Sequence, residues 1–519
     1  MAFSANDLIE NYYYIHFEFG ICKFNERKVF DGKEYFCFYF YKHERLLQTR
    51  QQVEADIREY DNQDEQPKLS PLKNNKSWKK KREKTLSQIK SEAKGLAELY
   101  AKRQLLKGFN YIVKEEYVDE FISIQPFELS EGQLKVIDEI NKELVSDKVS
   151  KHFVIGDCGM GKSVIMQYIS YISFMNKKQC VILAPSTLLS EQHYNDYLNL
   201  FSRYGARIEL LNGNISPKNK RIIIEKVEQG EVDILIGTTA IISKQIAFKD
   251  LQMLLIDEPQ LQGVKEKEYI NQYQDKNLDM FQFTATAQPR DLCMVQSGIQ
   301  DISVIDTPPK NKKPIITEHI RWSDNKIKDI INYELNRDGK LYFVYNNVEK
   351  LEETKEALLS LIPSLKIAII NGKMNKKDIP IVLKDFKNDS YNLLLATSII
   401  ETGINIDANT IIILEPENWG LSGLHQIRNR VGRFGKQAYC YLVTPQDKEL
   451  KELSTKRLNV LCQNNHLGAS IDISRQDRIL RGSGTIFGTA QSGHIMSSIG
   501  MSFYDEMLKK YVEEEKKVI

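Results

Sequence analysis

Residues 152–163, HFVIGDCGMGKS, decide how the chain is to be read. They fit the pattern G-x-x-x-x-G-K-[ST], with Gly156, Gly159, Gly161, Lys162 and Ser163 in place. HFVI is short and apolar, as a buried parallel strand is, and the following VIMQYISYI has helical apolar spacing. Strand, glycine loop and helix together form the context that the motif needs. Glycines let backbone N–H groups curl around phosphate oxygens without Cβ clashes, and the helix N-terminus adds partial positive charge. Lys162 is then placed for the β and γ phosphates of ATP and Ser163 for Mg²⁺. Asp157, Cys158 and Met160 complete the loop. The bland alternative is a glycine-rich turn before a helix.

Working outward, LLIDEPQ at 254–260 is an apolar run ending in Asp257 and Glu258. Both carboxylates are expected at the C-terminal edge of a parallel sheet, where α/β proteins place ligands. Asp257 suits Mg²⁺, directly or through water, and Glu258 suits a base for the attacking water. An apolar strand followed by DE means little alone and gains meaning downstream of a phosphate loop. Farther on, GLHQIRNRVGR at 423–433 sets Gln426, Arg430 and Arg433 at near-helical spacing. Arginines offered from a second domain neutralise transition-state charge. A solvated basic helix is the competing reading.

Alternating segments fill the space between these motifs. HFVIGD, CVILAPS, RIELLNG, DILIGTT, MLLIDE and MFQFTATA predict one parallel sheet, and KLYFVYN, KIAIINGK, NLLLATS, TIIILEPE and AYCYLVTP a second. The fold class is therefore α/β, with one ATP site shared between two domains, which is how nucleic-acid motors are built. The flanks differ. Residues 1–65 are dense in aromatic and β-branched side chains, and Asp31–Gly32 is a hairpin signal. Most of these rings are expected to form a compact core. Residues 73–107 hold twelve Lys and Arg against three Glu, which predicts a long basic helix or helix pair. Such a helix lies on DNA phosphates or links two domains with a solvated face. The expected divisions are 1–65, 66–115, 116–310, 311–450 and 451–519.

The chain has 519 residues and a net charge of +2, so any nucleic-acid surface must be local. Its seven cysteines show no C-x-x-C spacing, which argues against a zinc site or disulfide framework and for a reducing cytoplasm. The N-terminus has no signal-peptide pattern, and no apolar run approaches the ~20 residues of a membrane span.

The ordered motifs resemble superfamily 2 helicase-like translocases of the RecG and Mfd branch. The resemblance rests on APSTLLSEQHY (184–194), DILIGTTAII (233–242), LLIDEPQLQGVKEKE (254–268), FTATAQPRDL (283–292), YFVYNNVE (342–349), ATSIIETGINI (396–406) and LHQIRNRVGRFGKQAYCYLVTP (424–445). QPFELSEGQ (125–133) is similar to the family's adenine-side motif, with Gln133 in the base-reading position and Phe127 near the base. IHFEFGICKF, EYFCFYF, SWKKKREK and AELYAKRQLLKGF look like the RNA polymerase-interaction domain and linking helix of transcription-repair coupling factors. KRLNVLCQNNHLGASIDISRQDRILRGSGTIFGTAQSGH (456–494) resembles the translocation element of both branches. In that family this helical hairpin couples ATP-driven closure to stepping on duplex DNA.

The resemblance implies two RecA-like motor domains, a CarD/Tudor-like β-barrel at the N-terminus and a helical-hairpin translocation element. It implies ATP and Mg²⁺ as cofactors, with Gly403 at the nucleotide and Thr238, Thr284, Thr286, Thr397, Arg457, Arg481 and Gln491 as DNA or coupling contacts. It implies double-stranded DNA and the RNA polymerase β subunit as partners, the latter through residues about 12–50, and a cytoplasmic monomer. The family's UvrB-like module and C-terminal autoinhibitory domain have no counterpart here. UvrA binding is therefore not expected, and the ATPase is expected to depend less on polymerase. The family's DEEH reads DEPQ, its TATPIPR reads TATAQPR, its GR reads NR at Asn429, and its EHG reads EFG at Phe19. Pro259 and Gln260 put coupling in question while leaving the hydrolysis residues in place. Two rival readings are a RecG-like remodeller of branched DNA and a non-catalytic adapter binding polymerase and DNA.

Overall fold

A computed structural model describes residues 3–60, 66–241, 246–262, 270, 276–285, 294–295, 298, 300, 301–310, 312–375, 378–397, 408–432, 436–481 and 501–518. The chain divides into two compact units, one made of Met1–Arg103, Pro289–Ile299 and Arg475–Ile519, the other of Gln104–Gln288 and Gln300–Ser474.

In the first unit, β1 (Tyr13–His16), β2 (Gly20–Phe30), β3 (Lys33–Tyr39), β4 (Arg45–Thr49) and β5 (Ile57–Glu59) form an antiparallel sheet in the order β4-β3-β2-β1-β5. The predicted hairpin turn joins β2 to β3, with Asp31 at φ +48 and Gly32 at φ +72. Two positive φ values suit the right-handed twist of the flanking strands. The sheet is bent at a bulge between Phe24 and Glu26 and keeps β4 and β5 as its two ends, bridged by the helix Arg50–Asp56. Tyr14, Phe24, Phe36, Phe38 and Phe40 fill its core, so the aromatic density is mostly packing.

The basic segment is one helix, Lys76–Leu105. Its Trp78, Ile89, Ala93 and Leu96 pack with Phe503, Leu508 and Val512 of the C-terminal helix Met501–Lys516, while Lys79, Lys80, Lys81, Lys84 and Lys90 stay exposed. Arg58 strengthens this unit by donating through Nε and Nη2 to Glu506, at 2.8 and 2.6 Å, with its guanidinium over Phe503.

The second unit holds two parallel sheets. The first comprises β6 (Lys151–Ile155), β7 (Gln179–Leu183), β8 (Ile208–Leu211), β9 (Ile234–Gly237), β10 (Leu251–Asp257), β11 (Asp279–Thr284) and β12 (Asp301–Val304), ordered β12-β6-β11-β10-β7-β9-β8. The second comprises β13 (Ile316–Arg321), β14 (Leu341–Val344), β15 (Ile367–Ile370), β16 (Leu393–Ala396), β17 (Thr410–Leu414) and β18 (Tyr439–Thr444), ordered β13-β18-β17-β14-β16-β15. Inner strands such as β6, β14 and β17 are buried at every residue, as sheets covered on both faces require. Each sheet has one strand beyond those read from sequence. β12 and β13 lie at sheet edges and mix buried with exposed positions, so neither carries a continuous apolar run.

Candidate ATP-hydrolysis site

The strand order brings the motifs together. β11 lies between β6, which runs into the phosphate loop, and β10, which runs into Asp257 and Glu258. The loop then turns into the helix Lys162–Met175, with Gly161 as its N-cap at φ +88 and Gly159 at φ +75. At φ +88 Gly161 holds a backbone that L side chains rarely adopt, and a Cβ there would also stand 1.9 Å from Gln133 Nε2. Gly156 N–H donates to the Thr284 carbonyl at 3.2 Å, which fixes the loop to the end of β11. Lys162 Nζ donates to the Gly156 carbonyl at 2.7 Å and lies 3.6 Å from Glu258 Oε1. Ser163 is exposed in the first helical turn, while Cys158 and Met160 are buried. A tight glycine cradle, a lysine and a free helix start are the parts that a nucleotide's phosphates require.

Asp257 accepts from His193 Nε2 at 2.9 Å, from the helix Thr187–Phe201. Glu258 sits in left-handed backbone at φ +44 and receives the Ala285 N–H at 3.3 Å. Gln260 donates from Nε2 to Glu258 Oε2 at 2.5 Å, and its Oε1 accepts from the Thr284 hydroxyl at 3.1 Å. The glutamine in DEPQ therefore joins the acid to the strand end carrying Thr284. It does so because an amide can donate and accept at once.

Gln133 is buried and makes three hydrogen bonds. It caps its own helix with Ser130, at 2.8 and 3.3 Å, and donates from Nε2 to the Met160 carbonyl at 2.8 Å. Phe127 is half exposed nearby in sequence. Thr238 is buried after β9, and Thr397 is buried after β16, its N–H on the Ile370 carbonyl at 3.2 Å. Arg457 donates to the Trp419 carbonyl at 2.8 Å. Thr286, Gly403, Arg433, Gln491 and the Arg481 side chain lie outside the described residues.

Gln426 and Arg430 are buried, at the helix Leu421–Arg428 and just past its end. The same helix carries two residues that sequence spacing did not single out. His425 Nε2 lies 3.3 Å from Asp157 Oδ1 in the phosphate loop and 3.0 Å from Ser470 Oγ, with the Asn429 amide 3.0 Å from the same nitrogen. Arg428 Nη2 lies 2.9 Å from His425 Nδ1, which accepts from it because a guanidinium can only donate. Burial pulls His425 below its ordinary range, against the opposing pull of Asp157. Arg428 Nη1 also donates to the Leu461 and Asn464 carbonyls, each at 2.9 Å. Asp157 receives the Gly468 N–H at 2.8 Å as well. Burial alone would push the Asp157 carboxyl up. Its bonds from His425 and Gly468 and the nearby Lys312 ammonium outweigh that and hold it below its ordinary value.

Residues 130–295 match the DEAD/DEAH box helicase family, and residues 323–435 match the helicase conserved C-terminal domain. The chain thus carries both domains of a helicase-type ATPase. The ATPase is 34% identical over 97% of its length to a transcription-repair-coupling factor of Bacillus subtilis, of which it covers 43%. It is 37% identical over 85% of its length to the Haemophilus influenzae protein of the same name, covering 38% of that chain. The chain thus spans less than half the length of these relatives. A solved structure of RecG bound to a three-way DNA junction superposes with a TM-score of 0.68 at 25% identity, over 86% of the ATPase and 58% of RecG. An RNA- and ADP-BeF3-bound Dbp5 of S. cerevisiae shares the fold, at 14% identity and TM-score 0.52 over 71% of the ATPase and 97% of Dbp5. Among the described residues, no helix is long and apolar enough to cross a membrane.

Proposed function

We propose that this ATPase is a translocase on double-stranded DNA that holds RNA polymerase and pushes or removes stalled elongation complexes. The observation that carries the proposal is the hydrogen-bonded path from the phosphate loop into the translocation element. Asp157 bonds both His425 of the second lobe and Gly468, and Arg428 bonds the end of the helix Glu452–Gln463. A loop that responds to nucleotide is thereby wired to the segment resembling the family's stepping element.

In this mechanism Gly156–Ser163 cradles the phosphates, with Gln133 and Phe127 at the base. A Mg²⁺ ion held through Ser163 and Asp257 would neutralise developing charge on the phosphates. His193 orients Asp257. Glu258 takes the proton of the attacking water, and Arg430, with Arg433 beyond it in sequence, neutralises the transferring phosphoryl group. Gln260 carries the state of Glu258 to Thr284. DNA is gripped by its backbone, because a motor must pass any sequence, so binding should weaken steeply with salt. The β domain, through residues about 12–50, takes the polymerase β subunit, which places the protein in the cytoplasm with its template.

The test is ATP-dependent release of RNA polymerase stalled on a template, comparing the wild type with Glu258→Gln. Release by the wild type alone is expected. No release, with ATPase stimulated by forked DNA, would move the reading to a RecG-like remodeller, the alternative favoured by the RecG superposition.

A further inference from the structure

The connection between the two lobes crosses the phosphate loop. It leaves β12 with the Ile305 N–H on the Ile155 carbonyl at 2.8 Å, so it starts beside the strand that feeds the loop. Thr307 then accepts from the Ser130 hydroxyl at 2.9 Å. At Gly132 the contact is so close that a Cβ would stand 2.8 Å from Thr307 N. Pro308 and Pro309 follow, which fix φ and stiffen the approach. A turn closes with Lys312 N–H on the Pro309 carbonyl at 3.2 Å. That turn delivers the Lys312 ammonium onto the loop, where Nζ donates to the Cys158 carbonyl. Nζ lies 3.3 Å from where a Cβ of Gly159 would stand.

The loop therefore carries two ammonium groups. Lys162 comes from the loop's own helix and sits on the Gly156 carbonyl. Lys312 comes from a segment 154 residues away and sits on the Cys158 carbonyl. Both rest on backbone carbonyls of the same cradle. An ammonium on a neutral carbonyl exchanges for one on a phosphate oxygen because the ionised acceptor adds charge–charge attraction to the hydrogen bond. Gly159, in left-handed backbone, leaves room for that exchange.

We infer that Lys312 is a second phosphate-binding lysine of the ATP site, and that through it the connection between the lobes is tethered to bound nucleotide. The inference rests on the ATPase assignment and is independent of DNA or polymerase. Nucleotide held by Lys312 pins the start of the inter-lobe connection to the phosphates, and on nucleotide loss the ammonium returns to the Cys158 carbonyl. The hinge is thus informed of nucleotide by direct contact, alongside the arginines of the second lobe.

The experiment is equilibrium binding of a fluorescent ADP to the full chain without DNA, for wild type, Lys312→Met, Lys312→Arg and Lys162→Ala. Thermal midpoints are measured without nucleotide for each. Lys312→Met is expected to weaken ADP binding about tenfold, the scale of one lost charge-assisted bond. Lys312→Arg should stay within about threefold of wild type, since it keeps the cation. Midpoints without nucleotide should match wild type for both. Wild-type affinity in Lys312→Met overturns the inference. So does equal weakening in both variants with a lowered midpoint, because that marks a clamp on loop structure. Undiminished binding in Lys162→Ala would instead contradict the site itself.

Discussion

β10 in the first lobe and β17 in the second end in the same turn. Each runs into a glutamate in left-handed backbone, Glu258 at φ +44 and Glu415 at φ +48, followed by a proline that opens a single 3-10 turn. In each, an amide side chain just beyond holds the carboxylate. Gln260 bonds Glu258 at 2.5 Å, and Asn418 bonds Glu415 at 2.9 Å. The surroundings differ. Glu258 faces Lys162 across β11, whereas Glu415 accepts the Tyr345 hydroxyl at 3.1 Å. Burial first, and Glu415 second, pushes that hydroxyl up to about 12. Left-handed backbone at a non-glycine residue costs roughly 1–3 kcal/mol. Here the cost appears in both lobes, so strain alone does not mark a catalytic acid. The neighbouring strand's loop decides what the turn does.

The most forceful way to break this comparison is to remove both acids in turn. Glu258→Gln should lower kcat for ATP hydrolysis by about 10²–10⁴, the range for a lost general base, while nucleotide still binds. Glu415→Gln should leave kcat within about twofold, since the lost bond is worth roughly 1 kcal/mol of local stability. Steady-state hydrolysis assays of the two variants settle it, and equal losses would refute the contrast.

Gly161→Ala probes the glycine cradle of the first lobe. Its Cβ would collide with Gln133 Nε2 at 1.9 Å and hold φ +88 against its preference. Fluorescent-nucleotide titration should show affinity falling by at least about tenfold, a cost of roughly 1.4 kcal/mol.

The amides beyond the two prolines sharpen the same point. Gln260→Ala should cut the stimulation of ATPase by duplex DNA by about tenfold, because a hydrogen bond to a charged group is worth about 1.5–3 kcal/mol and here that bond leads to Thr284. Asn418→Ala should leave stimulation unchanged. Comparing ATPase with and without DNA reads both.

The smallest expected effect lies at the opposite end of the first sheet. Burial pushes the Asp279 carboxyl, at the start of β11, up to about 7. A folded-state value raised in this way gives stability that is complete below about pH 4 and lost as pH rises through about 7. Asp279→Asn should therefore raise the thermal midpoint at pH 8 by roughly 2–4 °C, with the gain shrinking toward pH 5. A gain larger at pH 5 would reverse the sign.

Much of this was legible from residue order because the signals are local. The phosphate loop, the runs that become β6, β10, β14 and β17, and the Asp31–Gly32 turn each carry their meaning within a dozen residues. The unread parts depend on distant neighbours. His193 meets Asp257 across 64 residues, Lys312 meets Cys158 across 154, and His425 meets Asp157 across 268. A single histidine or lysine offers no period or spacing, so only folding gives it a role. The basic helix shows the same division. Its charge was plain, but that its apolar stripe is covered by Phe503, Leu508 and Val512 was not. The departure to DEPQ was readable as a risk to coupling. That Gln260 bridges Glu258 and Thr284 required coordinates.

In the proposed mechanism the second lobe completes chemistry on the first and turns it into movement along duplex DNA. Displacement of a triplex-forming strand from duplex DNA by Arg430→Ala, beside wild type, tests it most directly. ATP-dependent displacement is expected from wild type and none from Arg430→Ala, with fluorescent nucleotide still bound by both. Displacement by Arg430→Ala at the wild-type rate would contradict it.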